Sequence, residues 1–206
     1  MATDSTPRGE RTRQEITQAA YQLFIQQGYH GTSMRQIARR AGVALAGLYN
    51  HFPSKEAVFK AVFITFHPIH QVIPLILASQ GESAEDFLRG AAARLMVELR
   101  QRPDLLNLMF IELVEFKSAH VGELFEQIYP LAQQAIASLV QRDDGHLRSM
   151  PPLLLMRLLI GFFLGYYFTS VAFEKHLPPE FSQGAEKLFI ETFLHGILSD
   201  PAEPSA

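Results

Sequence analysis

The stretch GYHGTSMRQIARRAGVALAGLYNHFPSKE, residues 28–56, decides the fold. Gly28 ends a preceding helix, because glycine reaches a positive φ without steric cost. Thr32 and Ser33 open the next element, and Ser33 with Gln36 has the Ser-x-x-Gln spacing of a capping box. Met34, Ile37, Ala38 and Ala41 follow at i, i+3, i+4 and i+7, one apolar stripe on a short helix. Gly42 stops that helix. A brief third helix over 44–50 buries Leu48, after which Ser54 caps a fourth helix with Glu56 in its positive first turn. Two short helices joined by Ala41-Gly42-Val43 form a helix-turn-helix candidate. Ala38, Ala41 and Gly42 are small where the helices cross, and Ile37, Val43, Leu48 and Phe52 can lock the pair onto the first helix. Arg35, Arg39, Arg40, Tyr49, His51 and Lys55 supply donors for phosphates around the rim. A bare helical hairpin has the same outline, so the spacing leaves both open.

Outward from this stretch the periodicity stays helical and alternating strand patterns are scarce. The first helix runs over 7–27, with Ile16, Ala20, Leu23 and Phe24 on one face. Pro68 and Pro74 are expected to kink or end the fourth helix. Further helices are expected over 83–101, 104–117, 121–141, 151–176 and 183–198, separated by Gly81, Pro103, Asp143-Asp144-Gly145 and Pro178-Pro179. The fold class is all-α. The division expected is a three-helix domain carrying the helix-turn-helix over 7–53 and a larger helical domain over 54–200, to which the family resemblance given below assigns DNA binding for the first and ligand binding and dimerisation for the second.

Composition narrows the classes of function. Hydrophobic residues make up 48% of the 206, ample for a packed core. The chain has no cysteine, which excludes a disulfide framework, a Cys-based zinc site and a thiol nucleophile. Residues 1–60 carry eight Lys/Arg against four Asp/Glu, and the remainder carry ten against seventeen. A basic head before an acidic body fits a polyanion met by the head alone. Met1 to Arg13 is polar and lacks the apolar stretch of a secretory signal, so a cytoplasmic location is expected. From Leu158 to Phe173 no residue is charged, but the run is 16 residues, short of the ~20 that cross a bilayer. A buried helix is therefore expected there instead of a membrane span, with Gly161 and Gly165 permitting close helix approach.

The motif from Gly28 to Glu56, extended back through Ala19-Ala20 and Leu23-Phe24, resembles the N-terminal signature of TetR-type transcription regulators. The resemblance covers the first third of the chain. It implies an Ω-shaped homodimer with two DNA-binding heads, C-terminal helices at the dimer interface and a variable pocket for an inducer in each body. It also places Thr32, Tyr49, His51 and Lys55 where such proteins contact phosphates. Each also admits a structural role: Thr32 can start a helix, and Tyr49 can pack its ring on the first helix. Ser33 joins the DNA-facing set at the start of the second helix.

The chain departs from the pattern in the recognition helix, where Ala44-Leu45-Ala46-Gly47 replaces the polar residues common there. These side chains make none of the bidentate hydrogen bonds that discriminate bases, each worth roughly 1–3 kcal/mol. Sequence reading is therefore expected to rest on apolar contacts from Ala44, Leu45 and Gly47, on Arg35 and Asn50, and on groove shape. Modest intrinsic specificity is the other reading.

In the body, Phe63, Phe66, Met96, Met109, Phe110, Leu113, Phe162, Phe163 and Tyr166 fit either an apolar ligand cavity or ordinary core packing. Glu112 and Glu115 sit amid apolar neighbours, suiting a cationic or hydroxylated ligand, an arginine partner or a solvated edge. His67 and His70 have metal-ligand spacing, but Pro68 interrupts the helix and no third ligand matches, so no metal and no cofactor are expected. Ile160, Leu164, Tyr167, Phe168 and Val171, with Gly161 and Gly165 among them, are set against Leu188, Phe189, Thr192, Phe193 and Ile197 as a two-helix dimer face, doubled by a two-fold axis. Double-stranded operator DNA, a small hydrophobic effector and a second copy are the expected partners, with no membrane. The function expected is a ligand-responsive DNA-binding regulator, a repressor released from its operator by a largely hydrophobic small molecule. A small-molecule carrier or enzyme on the helical body is the alternative; no nucleophile–base arrangement supports an enzyme, and a carrier would not need the basic head.

Overall fold

A computed structural model of the protein describes residues 8–79, 81–102, 104–143, 145, 147–173, 176–178 and 184–197. These form ten helices and no strand: α1 (Arg8–Gly31), α2 (Met34–Arg40), α3 (Leu45–His51), α4 (Lys55–Phe66), α5 (Ile69–Leu77), α6 (Ala84–Arg100), α7 (Leu105–Glu115), α8 (Val121–Val140), α9 (Pro152–Phe173) and α10 (Ala185–Ile197). The all-α expectation holds, and most boundaries fall within a few residues of those read from periodicity. Pro68 ends α4 and opens α5 as expected, whereas Pro74 lies inside α5. Burial of Val72 and Ile73 in that helix outweighs the hydrogen bond Pro74 forgoes.

Packing divides the chain into two compact units, and not at residue 53. The first contains the chain up to His67 together with Asp104–Phe125, and the second contains Pro68–Pro103 and the chain from Glu126. Helix α7, placed by sequence in the C-terminal body, thus belongs with the helix-turn-helix. The reason is a set of contacts no periodicity announces. At its N-terminus Asp104 accepts a hydrogen bond from the Tyr21 hydroxyl of α1. At its C-terminus Glu115 pairs with His30 at 2.7 Å. Phe116 packs against Tyr29 at 5.0 Å and Phe59 at 4.8 Å between ring centroids. Beneath them Ile16, Phe24, Ile37, Leu48, Phe52, Phe59 and Val62 form the core of the first unit.

Glu112 corrects the sequence reading, which offered a ligand, an arginine or solvent. It is 2% exposed and faces a histidine. Its Oε1 accepts the His120 backbone N–H at 2.7 Å and its Oε2 lies 2.8 Å from His120 Nδ1. The turn it spans holds Lys117 and Ser118 at φ 50° and 66°, left-handed values that non-glycine residues rarely adopt.

The second unit is built on Ala84, Phe87, Leu88, Ala92, Met96, Leu139, Leu155, Phe163, Ile190, Phe193 and Leu194, drawn from α6, α8, α9 and α10. Arg89 of α6 reaches Glu191 of α10, and its guanidinium holds the Glu191 carboxyl below the ordinary glutamate range. Gly81 is required at the entrance to α6, where an added Cβ would sit 2.6 Å from that of Asp86.

Helix α9 is 22 residues long, longer than the uncharged run, because Pro152 to Arg157 continue it toward the N-terminus. By length and composition alone 152–173 and 55–77 are apolar enough to cross a membrane. The second of these is interrupted at His67, whose φ of −65° and ψ of 124° are not helical.

Candidate nucleic-acid interface

Each turn of the helix-turn-helix is fixed by a local hydrogen-bond device. Gly28, at φ 73°, breaks α1 before its last turn. Thr32 is buried at 2% exposure, and its hydroxyl donates to the Gly28 carbonyl at 2.8 Å. Ser33 caps α2 in the anticipated box: its Oγ accepts the Gln36 amide at 3.3 Å and the Gln36 Oε1 accepts the Ser33 amide at 2.8 Å. At the other end Gly42 takes φ 67°, and the Val43 amide returns to the Ala38 carbonyl at 3.0 Å. Helix α3 then follows with no side-chain cap at Ala44. What holds it is burial of Leu48 and Phe52, at 0% and 1% exposure, each worth roughly 1.5–3 kcal/mol.

The solvent side of this motif carries Ser33, Arg35, Arg39, Ala44, Tyr49 and Asn50, all exposed, with Leu45, Gly47 and His51 half-buried. Tyr49 keeps 49% of its surface open, so its ring is not packed away against α1. Arg40 is held on α1 by Gln22 at 2.8 Å and Gln26 at 3.4 Å. Arg35 and Arg39, one turn apart on α2, stay exposed on the same side of the motif.

Two residues expected at phosphates serve inside the fold. Thr32 has its hydroxyl turned inward, as described. Lys55 Nζ donates to the Tyr29 carbonyl at 2.7 Å and the Thr32 carbonyl at 2.8 Å, and lies 4.1 Å from the Tyr29 ring centroid. Burial pulls the Lys55 ammonium below its ordinary value, with Glu115 opposing, and burial pushes the Tyr29 hydroxyl up. Lys55 is thus a clamp closing the α1–α2 turn onto the start of α4. Lys55→Met keeps the aliphatic stem and removes both charge-assisted bonds, so the first unit should lose about 2 kcal/mol. Urea unfolding of the two proteins measures this directly, and an unchanged midpoint would show that the turn closes without the clamp.

One contributor escaped the sequence reading. Arg13 of α1 donates from one terminal guanidinium nitrogen to the His51 carbonyl at the end of α3, at 2.9 Å, and its guanidinium carbon lies 4.1 Å from the Phe52 ring centroid. The partners are 38 residues apart, beyond the reach of any spacing rule.

The residues expected around a ligand fall in both units. In the first, Phe63 is buried beside Phe59, Phe66 stacks on Tyr21 at 4.3 Å, Met109 is half-buried, and Phe110 and Leu113 are exposed. In the second, Met96 and Phe163 are core residues, while half-buried Phe162 and Tyr166 meet Phe189 at 3.9 and 4.4 Å. Of the expected dimer face, Gly161, Gly165 and Phe168 are exposed and Leu164 is half-buried. Phe193 departs from the expectation: it is 5% exposed and packed between Phe162 and Phe163 in its own unit, because α10 turns that side toward α6 and α9. The Ile197 side chain lies outside the described residues.

Comparison with known proteins bears on the same region. The family model described as bacterial regulatory proteins, tetR family, matches residues 16–62, which run from α1 into α4. The transcriptional regulator RutR of Escherichia coli (strain K12) is 38% identical over 88 residues, 43% of this chain and 39% of RutR, so well under two thirds of that relative is spanned. The transcriptional activator FasR of Mycolicibacterium smegmatis is 30% identical over 155 residues, 68% of this chain and 63% of FasR. A TetR-family regulator structure from Mesorhizobium loti superposes with a TM-score of 0.65 at 26% identity, covering 91% of this chain and 97% of that one. With its capping box, glycine-stopped turn and apolar lock all in place, the matched region is a helix-turn-helix of the kind that marks the tetR family of bacterial regulatory proteins.

Proposed function

We propose that the protein is a homodimeric transcriptional regulator, a repressor released from its operator by a largely hydrophobic small molecule. The observation that carries the reading is the division of labour within the helix-turn-helix. Leu48 and Phe52 fix α3 from beneath, while Arg35, Arg39, Tyr49 and Asn50 are presented to solvent beside it. Arginines and a phenol hydroxyl position the protein on phosphates, and the apolar Ala44–Gly47 segment allows close backbone approach and contact with thymine methyls. Such a protein acts where the bacterial chromosome is, in the cytoplasm.

In this reading DNA and effector favour different states of the dimer, with a reciprocal coupling of typically ~1–3 kcal/mol. In the second unit, Phe162 and Tyr166 are half-buried where Met96 and Phe163 are buried, so effector contact there is assigned to those two. FasR, an activator by name, makes activation the second reading; reporter output with and without the gene separates the two.

Selection from random duplexes, followed by titration at low and high salt, tests DNA binding. We expect a preferred sequence and a linear fall of log K with log salt. Arg35→Ala or Arg39→Ala should each flatten that slope by about 0.9 if the arginine meets a phosphate. A selection that returns no preferred sequence would sink the proposal.

A further inference from the structure

We propose that Arg13 is a positioning residue for the DNA-reading helix; the inference rests on the function proposed above. Helix α3 is the least self-sufficient element of the motif. It has seven residues, is preceded by Ala44 at an N-cap with no capping side chain, and contains Gly47. Helices this short are marginal alone, and their last carbonyls lack internal partners. The Phe52 amide returns to Leu48 O at 2.9 Å, and Arg13 supplies a donor to the His51 carbonyl, also at 2.9 Å. The same guanidinium covers the Phe52 ring at 4.1 Å. Its own helix is secured at that point, where the Thr17 hydroxyl donates to the Arg13 carbonyl at 2.8 Å.

A planar guanidinium can stack on a ring and donate in its own plane at once, which an ammonium cannot. A cation beside the C-terminus of α3 also meets the negative end of its dipole. Arg13 therefore sets where the end of α3 lies against α1, and with it the placement of Tyr49 and Asn50. This matters more here than in a recognition helix rich in bidentate donors. Contacts through methyl groups and backbone depend on close, correctly placed approach and have no long side chains to compensate for drift.

The test uses the full chain with Arg13→Ala and Arg13→Lys. Without DNA, hydrogen exchange should speed up about tenfold at the α3 amides in both variants, while α1 and α4 keep their protection. With the duplex selected by the wild type, the ratio of selected to random binding should fall about tenfold in both variants, the salt slope changing by less than that of one phosphate contact. Failure of lysine to restore the ratio marks geometry as the cause. Three results overturn the proposal: α3 exchange equal to wild type, exchange raised uniformly across the unit, or a lysine variant matching wild type while alanine loses a full unit of slope. Should the wild type select no sequence, the regulatory function falls, and the exchange data alone decide whether Arg13 positions α3.

Discussion

Glu112→Leu is expected to destabilise the N-terminal unit by about 2–6 kcal/mol, because two buried donors would each lose their acceptor at about 1–3 kcal/mol. Leucine approximates the volume of the glutamate stem but accepts no hydrogen bond. The His120 amide and its Nδ1, now 2.7 and 2.8 Å from carboxylate oxygens, would lose their acceptor in a place closed to water. The nearest remaining carboxylate oxygen, on Glu56, is 3.8 Å from Nε2 on the far side of the ring. The turn beneath holds Lys117 and Ser118 in left-handed conformations, which cost of order 1–3 kcal/mol each and persist only where surroundings impose them. Glu112 imposes them twice, through its side chain and through its carbonyl, which accepts from the Ser118 amide at 3.1 Å. Glu112→Gln keeps one acceptor and should show a smaller loss. Denaturant unfolding at neutral pH gives both values, and a leucine variant with a wild-type midpoint would show that the turn forms unaided.

Gly165→Arg should weaken self-association by on the order of 100-fold, since it places an unpaired charge at the centre of the proposed interface. Within one chain, α9 leaves Ile160, Phe168 and Val171 50%, 42% and 44% exposed, and Leu188 of α10 is 69% exposed. Gly161 and Gly165 lie among them, and a Cβ added at either meets nothing within 4 Å. The arginine therefore fits the isolated chain, where replacing a mid-helix glycine favours helix by roughly 1 kcal/mol. Thermal stability of the monomer and its mass in solution should thus move independently. Sedimentation equilibrium reports the association, and a variant that stays dimeric would remove α9 from the interface. Operator affinity should fall with dimerisation, because one head then binds one half-site.

These two sites mark what was legible in the sequence. The helix boundaries, the Ser33–Gln36 box, the stop at Gly42 and the burial of Leu48 follow from interactions within a few residues, where spacing is decisive. The Glu112–His120 pair, the Lys55 clamp and the Arg13 contact join residues separated by a turn or by whole helices. Composition gives a lysine beside a helix start the same weight whether it faces a phosphate or two carbonyls of its own chain. Thr32 was ambiguous for the same reason: a hydroxyl near a helix start serves equally well turned outward or inward. Phe193 shows the limit on an apolar helix, where rings on several sides leave periodicity unable to say which side the chain covers itself. The exposure of Tyr49 is easier to read, because its apolar neighbours Leu48 and Phe52 already fill the buried side of α3.

The membership of α7 has a consequence for modularity. Regulators of this kind invite the exchange of heads, a new operator preference grafted onto an existing sensor by joining chains at a linker. Here the linker is not a seam. A graft ending at residue 53 or 67 would leave behind Asp104, Glu115 and Phe116, the partners of Tyr21, His30 and Tyr29, and expose the rings they cover. The transplantable piece is discontinuous: the first 67 residues and the segment from Asp104 to Phe125 have to travel together. A chimera joined only at the obvious linker would carry a mismatched α7, so an exchange of heads in this protein has to include the helix packed against α1.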